Sequence, residues 1–403
     1  QAITFDLSDY DPTNATTATQ KLLVNLTVGL TQIQVTNIPD DIGFFIVQVH
    51  SYPYNVTLSS SYKMKKQNTI KGTNIGLVSL NQKKTTFYVK SKNFSTALIV
   101  VVIYKTGDPI PGGCNLTFNT ENAPYQLISF TDDLIIVQSQ PPSAIGTTCE
   151  KNNVLVELYH LYLHEDDFKQ SRYFNGLEKM LTVDAIKVNG YKVTTVDGYF
   201  KYRKLYSAYR GVGQVFGIIA TYQNKSSAYI PAISYGKNNC FFTDRLNLWF
   251  SLASRLVEIW YSNLITDLVV FRNDVNFWLT FFSIIIAFCT MWTMFTLKGH
   301  IFSCSFLGAY ACVAALNFYT GGNLQYIVIN SFRRMTVKNF NMATIDPPFQ
   351  IMDISQTVLL VVMTTFGFYY QMKEQRGKPP FPPHRYATVE EGWITNLLLH
   401  KMH

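Results

Sequence analysis

Phe277 to Leu297 reads FWLTFFSIIIAFCTMWTMFTL, 21 residues without a formal charge. At about 1.5 Å per residue, a helix of that length crosses the roughly 30 Å of hydrocarbon in a bilayer. After the polar link Lys298-Gly299-His300, the run Ile301 to Thr320 (IFSCSFLGAYACVAALNFYT) is again uncharged. Its Ser305, Gly308, Ala309, Ala311 and Ala314 would let another helix approach closely. A third run, Ile354 to Gln371 (ISQTVLLVVMTTFGFYYQ), lies between Asp353 and the cations Lys373 and Arg376. The expected membrane region is therefore 277–371, with spans at 277–297, 301–320 and 354–371.

Working outward, Leu246 to Val270 is apolar but broken by Arg255, Glu258 and Asp267. Each such charge at mid-bilayer costs about 2.5–3.5 kcal/mol on insertion scales, so residues 246–272 are expected to form an interfacial or packed helix. With the large first part outside, three spans put the tail 372–403 and its Lys373, Arg376, Lys378 and Arg385 in the cytoplasm, as the positive-inside rule prefers. Arg333, Arg334 and Lys338 argue the other way, because they fall in the outer loop between the second and third spans.

Composition agrees with a membrane protein. The chain has 403 residues, 47% hydrophobic and only 15% charged, where a soluble domain carries about 25% charge. The net charge of +8 comes from scattered residues; no run of five or more Lys/Arg occurs, which argues against a nucleic-acid partner. Membrane lipid and other membrane subunits or an extracellular protein are the expected partners.

Residues 1–240 contain no candidate span. The chain opens at Gln1 without an initiator Met, and a cleaved signal peptide is expected. Six N-x-S/T sequons, at Asn14, Asn25, Asn55, Asn93, Asn115 and Asn224, all precede the membrane region and are candidate glycosylation sites. Short runs rich in β-branched and aromatic residues, such as 22–28, 44–50, 55–58, 85–89 and 97–104, alternate with Asn/Asp/Gly/Pro/Ser turns. That pattern predicts a β-sandwich-like domain over 1–142, with a last strand at 133–137. The Pro-Pro-Ser at 141–143 reads as a linker to a smaller α+β unit over 151–240. There a strand at 154–163 precedes a helix-like stretch from Glu165, and strands return at 185–193 and 215–222. The expected fold class is thus a β-rich ectodomain followed by an α-helical transmembrane bundle.

Of six cysteines, Cys289, Cys304 and Cys312 lie in spans, where they read as small packing residues. Cys114 and Cys149 flank the last strands of the first unit and are the expected disulfide, leaving Cys240 unpaired or intermolecular. His160 and His164 would share a zinc only on a helix; on a strand they stand roughly 13 Å apart, and the alternation around them favours a strand. The spans hold no His, Asp, Glu, Lys or Arg, the groups that intramembrane hydrolases and proton relays use. No hydrolase elbow, P-loop, dinucleotide or zincin motif occurs. No enzyme, cofactor or metal is expected.

Leu324 to Lys338 puts Leu324, Ile327, Val328, Phe332 and Met335 on one helical face. Arg333, Arg334 and Lys338 are left to face lipid phosphates, or else the helix packs under the ectodomain. The tail at 377–385 (GKPPFPPHR) is polyproline-like, either a stiff exit from the membrane or a docking segment.

Several phrases carry a family resemblance: 107–118 (GDPIPGGCNLTF), 225–232 (KSSAYIPA), 325–330 (QYIVIN) leading to Arg333-Arg334, 348–350 (PFQ) and 377–384 (GKPPFPPH). In these, and in their order, the chain resembles the transmembrane 7 superfamily member 3 family, glycoproteins with a large extracellular region and seven C-terminal spans. The resemblance implies no enzymatic activity and a link to cell survival and attenuation of the stress response. It also implies a shortened form, since about four further spans would fall between Cys240 and Phe277. The expected function is a non-enzymatic multi-pass glycoprotein whose ectodomain binds a partner in a receptor-like, adhesive or structural-subunit role. The alternative is a component of a transporter or channel, with Ser283, Thr290, Thr293, Asn317 and Thr357 lining a path.

Overall fold

The computed structural model describes residues 2–8, 10, 19–65, 69–80, 85–114, 126–131, 133–144, 148–149, 153–165, 167–197, 202–209, 211–235, 272–293, 296–320, 322–324, 326–348 and 350–376. The chain divides into two bodies, residues 1–241 with 330–348 and residues 242–329 with 349–403.

The first body begins with nine strands: β1 Ala2–Asp6, β2 Thr19–Leu26, β3 Gly29–Thr36, β4 Ile42–Tyr52, β5 Val56–Ser59, β6 Thr69–Gly72, β7 Asn74–Leu80, β8 Thr86–Ser91 and β9 Ser95–Lys105. They form two sheets, ordered β1-β3-β8-β5-β6 and β2-β9-β4-β7, which is the sandwich expected from the alternating pattern. The central strands β4 and β9 pair antiparallel, with Val47 opposite Val101, and both of their faces are buried. Phe45, Val47, Val49, Ile99, Val101 and Ile103 point into the first sandwich. Phe44, Ile46, Leu98, Val100, Val102 and Tyr104 point the other way, into a core shared with the second domain. Each fully buried Val, Leu, Ile or Phe contributes about 1.5–3 kcal/mol, so this second face fuses the two domains.

The second domain contains β10 Gln126–Phe130, β11 Leu134–Ser139, β12 Leu155–Tyr162, α1 Gln170–Glu178, α2 Val183–Asn189, β13 Tyr191–Asp197, β14 Tyr202–Ser207, β15 Gly213–Tyr222, β16 Lys225–Ala228 and β17 Ala232–Tyr235. One sheet runs β13-β12-β15-β16 with β17 also on β15; the other runs β10-β11-β14 and ends on β18 Ala343–Thr344. The sequence reading differs from this in two places. The strand expected to close the first unit is β11, and it pairs with β14 (Leu134 opposite Ser207), so the second domain starts before the linker at 141–143. The strand expected from Ala185 is instead helix α2, because the Thr182 hydroxyl accepts from the Ala185 N–H at 3.2 Å and caps it, with Asp184 in the first turn. The strand itself begins after Gly190.

Polar bonds reinforce the shared core. The Tyr104 hydroxyl donates to the Ala228 carbonyl and accepts from the Ala228 N–H, both at 3.1 Å. The Tyr229 hydroxyl donates to the Gln140 carbonyl at 2.6 Å and accepts from the Gly112 N–H at 3.2 Å. Gly76 on β7 is required here: a Cβ at that position would stand 2.3 Å from Ile230 Cδ1 and 2.8 Å from the Val47 carbonyl. Cys114 and Cys149 are bridged, with Cα atoms 5.6 Å apart.

The second body contains α3 Asp274–Thr293, α4 Thr296–Thr320 and α6 Ile351–Glu374, while α5 Tyr326–Thr336 carries the chain into the first body at Asn330. Among the described residues two stretches are long and apolar enough to cross a membrane, Leu297–Asn317 and Ile351–Glu374, and Asp274–Ala287 is a shorter apolar helix. These overlap the expected spans 301–320 and 354–371, and the expected span 277–297 falls on α3. The polar link 298–300 lies inside α4, since Lys298 and His300 are exposed and cost that helix little. Where α4 meets α6, a Cβ on Gly367 would stand 3.3 Å from Ser305 Cβ, a small-residue contact of the kind expected. Gly308 and Ala311 are not part of it: nothing lies within 4 Å of a Cβ on Gly308, and Ala311 is exposed.

Candidate functional site

The place where chemistry concentrates is the face of the second domain that receives residues 330–348. Arg333 is 7% exposed. Its Nε donates to Asp133 Oδ1 at 2.8 Å, and its Nη1 to the Ala208 carbonyl at 2.7 Å, Ser207 Oγ at 3.2 Å and Asn330 Oδ1 at 3.5 Å. Ser207 Oγ donates in turn to Asn330 Oδ1 at 3.1 Å. The local structure prepares this receptor. Leu134 and Ser207 are partners in the β11–β14 ladder, and the Ala208 N–H donates to the Asp133 carbonyl at 3.0 Å, so carboxylate and carbonyl converge on one point. A planar guanidinium with several fixed donors suits such a set better than an ammonium would. Arg333 therefore does not face lipid phosphate; it is buried against a carboxylate of the ectodomain. Arg334 is half-buried and Lys338 exposed.

Beyond Arg333, β18 adds to the sheet in parallel with β14, Leu205 opposite Ala343 and Tyr206 opposite Thr344, and Phe340 is wholly buried. The Tyr162 hydroxyl donates to the Asp346 carbonyl. His160 packs among the rings of Tyr162, Tyr191 and Tyr206 at centroid distances of 4.7, 5.6 and 6.1 Å. Burial lowers its pKa to about 4, so it is neutral at physiological pH, and its Nε2 is 3.9 Å from Asp346 Oδ2, beyond hydrogen-bonding reach. Burial raises the carboxyl of Asp346 above its ordinary value and lifts the Tyr209 hydroxyl. His164 follows the end of β12 and is exposed. Among the described residues no group of three His, Cys, Asp or Glu is placed to hold a metal.

The sequon residues Asn25, Asn55, Asn93 and Asn224 are exposed. Asn25 and Asn93 lie near each other, because Asn25 pairs with Thr96 across β2 and β9, beside the exposed Leu23 and Phe94. Asn14, Asn115, Cys240, the stretch 246–270 and the tail 377–403 lie outside the described residues. Of the polar span residues, Ser283, Thr290 and Thr357 donate their hydroxyls to their own helix backbone, at Leu279, Ala287 and Asp353; the Thr293 side chain lies outside the description. Asn317 is buried.

Three family models match in series: the TM7SF3-like N-terminal immunoglobulin-like domain over 12–105, its second immunoglobulin-like domain over 109–240, and a TM7S3/TM198-like domain over 246–372. The chain belongs to the TM7SF3-like family. The two sandwiches are its Ig-like domains, and the match for the second, from 109, includes β11, in keeping with its pairing to β14. TM7SF3-like proteins are not a known enzyme family. Transmembrane 7 superfamily member 3 of Homo sapiens is 24% identical over 476 residues, covering 90% of this chain and 84% of that protein. The Mus musculus protein is likewise 24% identical over the same extent. Ninety per cent of 403 residues is about 363, so the aligned 476 include roughly 113 that this TM7SF3-like chain does not match. A Bacillus licheniformis lipase in propeptide form is similar at 8% identity over 53% of this chain and 40% of that one, with a TM-score of 0.15, too low to bear on fold or activity.

Proposed function

We propose that this chain is a non-enzymatic, multi-pass membrane glycoprotein whose paired Ig-like domains bind an extracellular protein partner, as a receptor, an adhesion molecule or a subunit of a membrane assembly. The observation that carries the proposal is the docking of 330–348 on the second Ig-like domain through Arg333 and β18. A segment tied at both ends to membrane helices is built into the ectodomain, which couples the binding domains to the membrane part.

The same docking favours a topology. The ectodomain and residues 330–348 belong to one side, so the chain crosses an even number of times between 241 and 330. Helices α3 and α4 are read as two crossings in that interval, and α6 as the one that carries the tail to the cytoplasm. Asn25, Asn55, Asn93 and Asn224 then lie on the glycosylated side.

The test is to display the intact chain on cells and probe it with multimerised cell-surface and secreted proteins, beside a flux assay in proteoliposomes. Saturable binding of a protein, lost when the outer faces of the Ig-like domains are altered, supports the reading. Solute or ion flux with no protein bound would replace it with the transporter alternative. The family link to cell survival would appear as a heightened unfolded-protein response when the gene is silenced.

A further inference from the structure

We propose that Asn317, Gln356 and Asp353, where the C-terminal end of α4 meets the N-terminal end of α6, form a binding site for one monovalent hard cation, sodium by its chemistry. The site is separate from partner binding by the Ig-like domains and does not depend on it.

Two buried amide oxygens without a donor meet there beside a buried carboxylate. Asn317, Gln356 and Asp353 are 4%, 5% and 1% exposed. Asn317 Oδ1 and Gln356 Oε1 have no hydrogen-bond partner among the described residues. Both lie 2.6 Å from the position a Cβ would take on Gly322, so they converge on one small space beside the Gly322 backbone. The other end of the Gln356 amide sets its orientation. Its Nε2 donates to Thr320 Oγ1 at 2.7 Å, and the Thr320 hydroxyl proton is given to the Leu316 carbonyl at 3.1 Å. An exchanged amide would leave Gln356 Oε1 bonded only if that hydroxyl turned away from Leu316 toward it.

Charge decides between a cation and a water molecule. Asp353 takes the Asn323 N–H at 2.6 Å and the Gln350 N–H at 3.0 Å, and no ion pair to it exists among the described residues. With Gln350 it forms the capping box at the head of α6, whose dipole favours its charge, yet a buried carboxylate with no cation beside it stays costly. The Asn323 N–H it holds directly follows Gly322, and Gln356 sits one helical turn from Asp353 on the same face of α6. The last carbonyls of α4 add the negative end of that helix's dipole. Carboxylate, amide and carbonyl oxygens suit a hard cation, and a single carboxylate balances one positive charge where calcium sites gather several. The bound ion would pin the turn at 322–324 to the head of α6.

The experiment measures binding of radioactive sodium to the purified full chain in lipid nanodiscs, with melting temperature followed in sodium chloride and in choline chloride at equal ionic strength. The expected result is about one sodium per chain, displaced by unlabelled sodium and not by choline. A melting temperature roughly 3 °C higher in saturating sodium is also expected. Gly322→Ala places a methyl group against both oxygens and should weaken sodium binding at least tenfold. Gln356→Glu adds a second carboxylate and should turn the preference toward calcium, a gain that a misfolded variant would not show. Wild-type protein that binds no sodium and melts alike in both salts holds only water there, and the proposal fails. It fails equally if both variants bind sodium as the wild type does, or if micromolar calcium displaces sodium from the wild type.

Discussion

Replacing Arg333 by Ala tests the clasp between residues 330–348 and the second Ig-like domain. The side chain is buried and donates to Asp133, Ala208, Ser207 and Asn330. Removing one partner of a buried pair costs about 3–5 kcal/mol when the other charge is stranded. Here the Asp133 side chain is 45% exposed and regains water, which lowers its share. The Ala208 carbonyl does not, and an acceptor left unpaired costs about 1–3 kcal/mol. The total is about 3 kcal/mol, roughly two orders of magnitude in the equilibrium for local opening. Lys338 reports that opening, because it is exposed and lies within the docked segment. Trypsin should cut native Arg333→Ala protein after Lys338 about a hundredfold faster than wild type. Met335→Ala, an exposed neighbour, should leave the rate within about twofold. Equal rates in Arg333→Ala and wild type, under conditions where cutting follows the open population, would refute the reasoning.

Three further outcomes follow from the same contacts. Burial lowers His50 and His160 to about 4 from an ordinary 6.5. The unfolded chain then takes up protons that the folded one refuses, so their contribution is whole above pH 6.5 and falls as pH drops toward 4. At pH 5 each ring costs about 2 kcal/mol, and His50→Gln should remove about half of this pH-dependent loss in denaturant unfolding; a flat profile between pH 7.5 and 5 would contradict it. Converting Cys114 and Cys149 to Ser opens a loop of 35 residues, which should lower stability by about 4 kcal/mol in chemical denaturation, and a loss below about 1 kcal/mol would count against a structural bridge. Gly76→Ala should cost about 2 kcal/mol by overpacking, and Ile230→Val in the same chain should restore part of it; no restoration would mean that the Val47 carbonyl is the obstacle.

Fold class and family were legible because long uncharged runs, strand alternation and turn phrases are local signals. Other features had local signals that were overridden. The unbroken apolar run of β9 marks a strand buried on both faces, and that is how the domains come to share a core. Thr182 with Asp184 is a helix start, yet the β-branched residues after it favour a strand. The assignment of β11 to the second domain depends on a partner, β14, some seventy residues away, and no local pattern announces it. Arg333 was visible as a basic residue in an outer loop, where its charge argued against the topology. Only the distant Asp133 and Ala208 explain why a cation belongs there. The convergence of Asn317 and Gln356 on Gly322 likewise joins two helices that are far apart in sequence.

The central claim is that residues 330–348 lie on the ectodomain side, with two crossings before them and one after. Asn341→Thr creates an N-x-T sequon at the exposed Asn339, and a second variant carries a new sequon in the tail beyond 377. Expressed in cells and treated with N-glycosidase, the account predicts an added glycan at Asn339 and none in the tail. A glycan in the tail with Asn339 bare would contradict it.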